Sequence, residues 1–247
     1  MSDISRHDRE ISSNLASWQA KPLLRLVYRD IHLAIARELA PLPGLAVELG
    51  SGIGNIKEVI PDCLRTDLFP NPWLDQTENA YALSFGDDSV ANLILFDVFH
   101  HLRYPGTALK ELARVLRPGG RILIYEPSMG ALGKLVFGVF HHEPIALRDE
   151  ITWLAPGGWT AADADYYAAQ GNASRTFRSE QVELEGLRVE SIRHFSQLSY
   201  VATGGYSKPQ LYPTRAYPLM RRLDALLDRM PALFATRMLV VLSKPVA

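Results

Sequence analysis

The sequence predicts an α/β protein, built on a mostly parallel sheet with helices on both faces. Three stretches carry that expectation. Ala46 to Asn55 reads as a short buried strand, a glycine-rich turn and the first turn of a helix. Asn92-Leu93-Ile94-Leu95-Phe96 is a near-continuous apolar run, as expected of a central strand covered on both faces. Pro105 to Arg117 then has helical spacing and leads through a glycine turn into another apolar run, Ile122 to Tyr125.

Taken in order, the chain opens with a helical lead. Over 11–40, Trp18, Leu23, Leu24, Val27, Ile31, Leu33, Ile35 and Leu39 recur at roughly helical spacing, and Pro41 with Pro43-Gly44 stops them. After the glycine turn, Asn55 to Ile60 is a short helix ended by Pro61, and Cys63 to Asp67 is the second strand. Asp87-Asp88-Ser89 is a turn before the apolar run, and Asp97 to Leu102 follows that run directly. The helix Pro105–Arg117 places Leu109, Leu112, Ala113 and Leu116 on one face. Leu132 to Phe140 is a helix packed on the sheet, and Ala155 to Arg175 an irregular insertion. Leu187–Phe195 and Arg237–Leu242 read as the last two strands. Tyr200, Tyr206, Tyr212 and Tyr217 lie between them, with a helix at Leu219–Met230 whose Leu219, Leu223, Leu226 and Leu227 share one face.

At 247 residues the chain fits one large domain, and no composition shift marks a linker. A net charge of −1 gives no electrostatic footprint for nucleic acid, so DNA and RNA are not expected as substrates. The single cysteine, Cys63, reads as a buried strand residue. It permits no internal disulfide, which fits a reducing cytoplasm. Met1 to Glu10 is too polar for a signal peptide, and no apolar run reaches the roughly 18 residues that span a bilayer. Peripheral contact with a membrane stays open.

The turn itself narrows the ligand. Glycines at 50, 52 and 54 let the backbone approach a ligand closely. A dinucleotide fingerprint wants its third glycine or alanine where Asn55 stands; here Gly54 falls one residue early. Glu48 lies two residues before the first glycine and would repel a pyrophosphate while welcoming an ammonium or sulfonium. A nicotinamide-dependent oxidoreductase is therefore the disfavoured rival. Asp67, seventeen residues beyond Gly50, stands where such α/β units place the carboxylate that accepts ribose hydroxyls.

With these residues in view, the chain resembles a class I S-adenosylmethionine-dependent methyltransferase. Glu48-Leu49-Gly50-Ser51-Gly52-Ile53-Gly54 matches the family's acid-x-Gly-x-Gly-x-Gly motif, and Leu109 to Arg121 is among the closest further matches. The resemblance runs from about Ala46 to Pro127. It implies a Rossmann-like sheet of seven strands, the last antiparallel, with S-adenosylmethionine as cofactor. It also implies a third-strand segment at Asn79–Phe85, where Asn79 replaces the acid that reaches the adenine amine. Ala91 stands where the family has an aspartate. The implied cofactor set is Glu48, Gly50, Ser51, Gly52, Gly54, Asn55, Asp67, Leu68, Asn79, Ala80, Leu83, Phe96 and Asp97. In such enzymes an N-terminal helix often folds over the cofactor, so Trp18, Arg25 and Tyr28 are candidates for a lid. The resulting division is 1–43 helical lead, 44–128 cofactor core and 129–247 C-terminal half with acceptor-recognition insertions, where 155–175 is an irregular insertion and 198–235 the candidate for acceptor recognition and lid.

Methyl transfer from a sulfonium needs a base only where the acceptor atom must lose a proton. For a hydroxyl acceptor the first choices are His100 and His101, with Asp97 orienting or stabilising the imidazole. His141-His142-Glu143 is a poor metal triad, since adjacent loop residues do not converge easily, and no metal is expected. The acceptor is read as a small or carrier-linked molecule, with an oxygen of a sugar, a lipid-linked saccharide or another metabolite methylated. The rival from a different class is a module that binds S-adenosylmethionine or its product without transferring anything.

Overall fold

The computed structural model describes residues 3–141, 143–178 and 184–246. Its strands are β1 (Leu45–Leu49), β2 (Leu64–Asp67), β3 (Gln76–Thr77), β4 (Val90–Phe96), β5 (Leu116–Pro127), β6 (Arg188–Phe195) and β7 (Arg237–Ser243). They form one sheet in the order β3-β2-β1-β4-β5-β7-β6. Only β7 runs against its neighbours, pairing antiparallel with both β5 and β6. This is the seven-stranded class I methyltransferase arrangement, as the sequence predicted.

β4 shows how the sheet builds two cores. Successive side chains on a strand point to opposite faces. Leu93 and Leu95 therefore meet Leu109 and Leu112 of α3 (Pro105–Val115), while Ile94 meets Leu23, Val27, Ile31 and Ile35 of α2 (Pro22–Ala36). All three β4 residues are fully buried, each stabilising the fold by about 1.5–3 kcal/mol. Buried Asn92 is satisfied by the backbone of Ala40, whose N–H donates to its Oδ1 at 2.7 Å. That bond ties the end of the helical lead to the central strand.

Several local expectations are corrected. The helical lead is two helices, α1 (Asp3–Ala20) and α2, because Pro22 lacks an N–H and starts a helix better than it continues one. The turn after the glycines is a four-residue 3₁₀ segment, Asn55–Glu58, and not an α-helix. β3 lies at Gln76–Thr77, upstream of the expected Asn79–Phe85, which instead folds into a tight turn with Ala82 N–H donating to the Asn79 carbonyl. β5 begins at Leu116; Val90 pairs with Leu116 and Asn92 with Arg121, so Arg117 to Gly120 form an irregularity inside the strand. Cys63 is buried one residue before β2.

The second half adds α4 (Ala131–Leu135), which widens into a π turn over Val136–Phe140, then α5 (Asn172–Thr176), α6 (Leu198–Val201), α7 (Tyr217–Leu227) and α8 (Pro231–Phe234). The leucine face of α7 is only partly covered: Leu223 and Leu227 are half-buried, Leu219 and Leu226 are exposed, and the most buried positions are Tyr217 and Asp224. Polar anchors hold this helix. Tyr217 Oη donates to Asp30 at 2.6 Å, and Asp224 accepts from Ser196 Oγ at 3.0 Å.

Candidate active site

The carboxyl ends of β1, β2 and β4 open into a cavity of about 1190 Å³. Pockets for a single drug-sized ligand measure roughly 300–1,000 Å³. The cavity is thus slightly larger than the pockets that ordinarily hold one such ligand.

One half of the cavity is the glycine turn. Gly50 has φ +71°, and a Cβ there would lie 2.3 Å from Val98 Cγ2. No other residue takes that conformation in that space. The Ser51 N–H donates to the Thr66 carbonyl at 2.8 Å, which sews the turn to β2. Asp67, at the end of β2, accepts from Gly52 N–H at 3.1 Å and Leu68 N–H at 2.7 Å. A carboxylate offers about four lone-pair directions, so two remain for ribose hydroxyls. α1 covers the turn, with Ile11 Cδ1 3.8 Å from where a Cβ on Gly52 would sit.

Glu48 supplies the clearest fit test for the expected cofactor. It is buried, its Oε2 has no hydrogen-bond partner, and burial pushes its carboxyl up to about 7. An orphaned carboxylate oxygen in a cavity wall is costly unless a cation or donor arrives. The ammonium of S-adenosylmethionine is such a group, so these residues fit it.

The other half of the cavity is organised by His100 and His101. His100 is buried and presents Nδ1 to Glu126 Oε2 at 2.7 Å. Glu126, also buried, accepts through Oε1 from the Phe99 N–H at 2.5 Å. Burial alone would lower the His100 pKa; the Glu126 charge, with help from Glu143, outweighs it and raises it to about 10. His100 is therefore a buried imidazolium. Its Nε2–H is directed at Glu143 Oε2, 3.5 Å away, a carboxylate that also accepts from the Gln170 amide.

His101 differs in every respect. Its Nδ1 lies 2.8 Å from the Tyr167 carbonyl, an acceptor only, so Nδ1 carries the proton and Nε2 the lone pair. Burial and the His100 charge, 4.1 Å away ring to ring, hold its pKa below the ordinary imidazole range. Glu143 Oε1 stands 3.9 Å from that Nε2.

Asp97 makes no hydrogen bond to either imidazole among the described residues, while its charge adds to those that favour the His100 imidazolium. It has φ +56° and forms an ion pair with Arg237, whose guanidinium lies 4.7 Å from the centre of the Tyr200 ring. Asp is among the few non-glycine residues that take this left-handed conformation readily, and the ion pair with buried Arg237 fixes its side chain.

Of the residues singled out in the sequence, Glu48, Gly50, Ser51, Gly52, Asn55, Asp67, Leu68, Asn79, Ala80, Phe96, Asp97, His100 and His101 line the cavity. Gly54 and Leu83 do not. A Cβ on Gly54 would lie 2.9 Å from Arg65 Cδ, so this glycine serves the turn's outer packing. Leu83 sits in the core, its N–H donating to Glu111 at 2.7 Å. Asn79 is already engaged on both amide atoms, with Tyr81 N–H and the Ala161 carbonyl. Tyr28 lines the cavity; Trp18 packs behind it at 5.5 Å, and Arg25 is exposed outside it. Sequence reasoning missed Glu126, Gln170 and Arg237, weighed Glu143 only as part of a metal triad, and gave Tyr167 no role beyond its insertion. The tyrosines and the 155–175 insertion were flagged only as regions.

Two groups place three metal-capable side chains within 4.8 Å of one another, His100/His101/Glu143 and Asp97/His100/Glu126. Protein partners occupy most of these donors: Glu126 on His100, Tyr166 and Gln170 on Glu143, Arg237 on Asp97. A cation would have to displace them, so the cluster reads as a hydrogen-bonded network. His142, part of the triplet weighed in the sequence, lies outside the described residues.

Residues 47–124 match a family model described as a methyltransferase domain. No curated protein matches the chain. Among solved structures, it is similar to a methyltransferase in complex with the Haloferax volcanii Trm112 methyltransferase activator, at 18% identity, TM-score 0.57 and coverage of 100% of this chain and 99% of that one. A SAM-dependent methyltransferase from Archaeoglobus fulgidus aligns at 11% identity and TM-score 0.54, covering 89% and 94% of the two chains. The [4+2]-cyclase SpnF aligns at 14% and 0.52, covering 89% and 82%. At these identities the likeness is one of fold, and the cyclase shows that this fold hosts other chemistry too.

Proposed function

We propose that this chain, which carries a class I S-adenosylmethionine-dependent methyltransferase domain, methylates an oxygen of a small or carrier-linked acceptor, with His101 taking the acceptor's proton. The observation that carries the reading is the fixed tautomer of His101. The Tyr167 carbonyl holds Nδ1–H, leaving a basic Nε2 in the cavity wall.

S-adenosylmethionine, when bound, supplies a methyl group already activated as a sulfonium. The chain's task is then to hold and to deprotonate. Glu48 and the glycine turn hold the amino-acid end by charge and close backbone approach, and Asp67 accepts from hydroxyls. Tyr28, Tyr200 and Phe137 give the acceptor half of the cavity an apolar wall. The buried His100 imidazolium keeps His101 neutral before reaction by repulsion. As the acceptor oxygen gains the methyl, its proton passes to Nε2 of His101, and the nearby Glu143 carboxylate stabilises the new charge. His101 is partly exposed and can return the proton to water.

The test is steady-state turnover of His101→Ala on a panel of hydroxyl acceptors, beside calorimetric titration with S-adenosylhomocysteine. Positioned proton transfer contributes about a hundred- to ten-thousand-fold. The expected result is a loss in that range in kcat with cofactor affinity unchanged. An undiminished rate would refute His101 as base. Cofactor binding with no turnover on any acceptor would favour the rival binding module.

A further inference from the structure

The strip beside the cavity mouth has a composition that the fold does not use. α4 lies against α8 backbone to backbone, since a Cβ on Gly130 would sit 2.7 Å from the carbonyls of Pro231 and Ala235. On these joined elements and the turns beside them, Val139, Phe140, Met230 and Leu233 are 44–65% exposed, and on α7 Leu219 and Leu226 are exposed as well. Phe140 also lines the cavity, so the apolar strip is continuous with its mouth. Contiguous exposed apolar surface of this kind marks a site of contact.

Charge selects the partner. Residues 129–141 contain no acid, and residues 211–236 contain only Asp224 and Asp228. Both of those turn inward: Asp224 is buried on Ser196 and Ser199, and Asp228 accepts from the Ser196 N–H at 2.6 Å. Lys134, Arg215, Arg222 and Arg229 are exposed, and none has an acid partner among the described residues. In a chain of net charge −1, these two stretches thus combine exposed apolar residues and unpaired bases with no exposed acid of their own. An interfacial surface combines buried aliphatic area with Lys and Arg facing anionic headgroups.

We infer that this face docks on an anionic lipid bilayer and that the acceptor reaches the cavity from that bilayer. The inference rests on the methyltransferase reading for the acceptor, but the docking itself does not depend on it. Among the described residues no helix is long and apolar enough to cross a membrane, so attachment would be peripheral.

The test is co-sedimentation of the full chain with vesicles of phosphatidylcholine alone and of phosphatidylcholine with one third phosphatidylglycerol. Leu226→Glu/Leu233→Glu and Arg222→Glu/Arg229→Glu are the variants, and S-adenosylhomocysteine titration of each is the control for folding. Binding is expected on the anionic vesicles only, weakened by salt and by about tenfold or more in each double variant, with cofactor affinity unchanged. Equal binding of wild type and variants, or no binding to anionic vesicles, would overturn the inference. So would a wild-type dimer, split by the leucine substitutions, that ignores vesicles: the strip would then join two copies. Failure of the methyltransferase reading would show separately, as absent cofactor binding in a protein that still sediments.

Discussion

Replacing Glu126 by alanine isolates the buried ion pair on which the histidine arrangement rests. The substitution leaves the His100 imidazolium buried at 2% exposure without its carboxylate, and removes the acceptor of the Phe99 N–H. Breaking a buried pair from one side costs about 3–5 kcal/mol. For a chain of this size each kcal/mol moves the melting temperature by about 2–4 °C, so the fall is about 6–20 °C. Glu126→Gln keeps an amide oxygen for Phe99 and His100 and removes only the charge, so it falls less. The pair also sets a pH dependence. The His100 pKa in the fold is raised to about 10, against roughly 6.5 in the unfolded chain. A raised imidazole stabilises fully below the unfolded value, and its contribution drains away as pH climbs through the folded one. Calorimetric melts of the wild type should therefore decline between about pH 6.5 and pH 10, and those of Glu126→Gln should lose that component. A Glu126→Ala protein melting within about 2 °C of wild type would refute the buried ion pair.

Two further outcomes follow from the cofactor half. Burial holds the Glu48 carboxyl near 7, so it is protonated below that pH and unable to pair with an ammonium. Titration with S-adenosylhomocysteine should tighten from about pH 6 to pH 8 in wild type and stay level in Glu48→Gln; a level wild-type profile would remove Glu48 from the cofactor site. Gly50→Ala forces a side chain to φ +71° with its Cβ 2.3 Å from Val98 Cγ2. Strain of about 1–3 kcal/mol should lower the melting temperature, and the displaced turn should weaken cofactor binding; unchanged affinity would make the turn mere scaffold.

How much could be read without coordinates follows from how far each interaction reaches along the chain. β4 was legible because a strand buried on both faces must be apolar at consecutive positions, and Leu93, Ile94 and Leu95 are. The glycine turn was legible because its backbone demands are local. The charge partners were not: Glu126 meets His100 across 26 positions, and Arg237 meets Asp97 across 140. Nothing in the local pattern distinguishes Glu126 from any acid at a strand end, so Asp97, the nearer acid, took the role in the sequence reading. The same limit explains α7. Period gives a helix an apolar face, but does not say what covers it. Leu219 and Leu226 keep that face while Tyr217 and Asp224 do the anchoring, so the pattern survived in the sequence for a purpose other than the core. Leu223 and Leu227 are half-buried on the same helix where Leu219 and Leu226 stay exposed, so the period alone could not tell how much of that face the fold would cover.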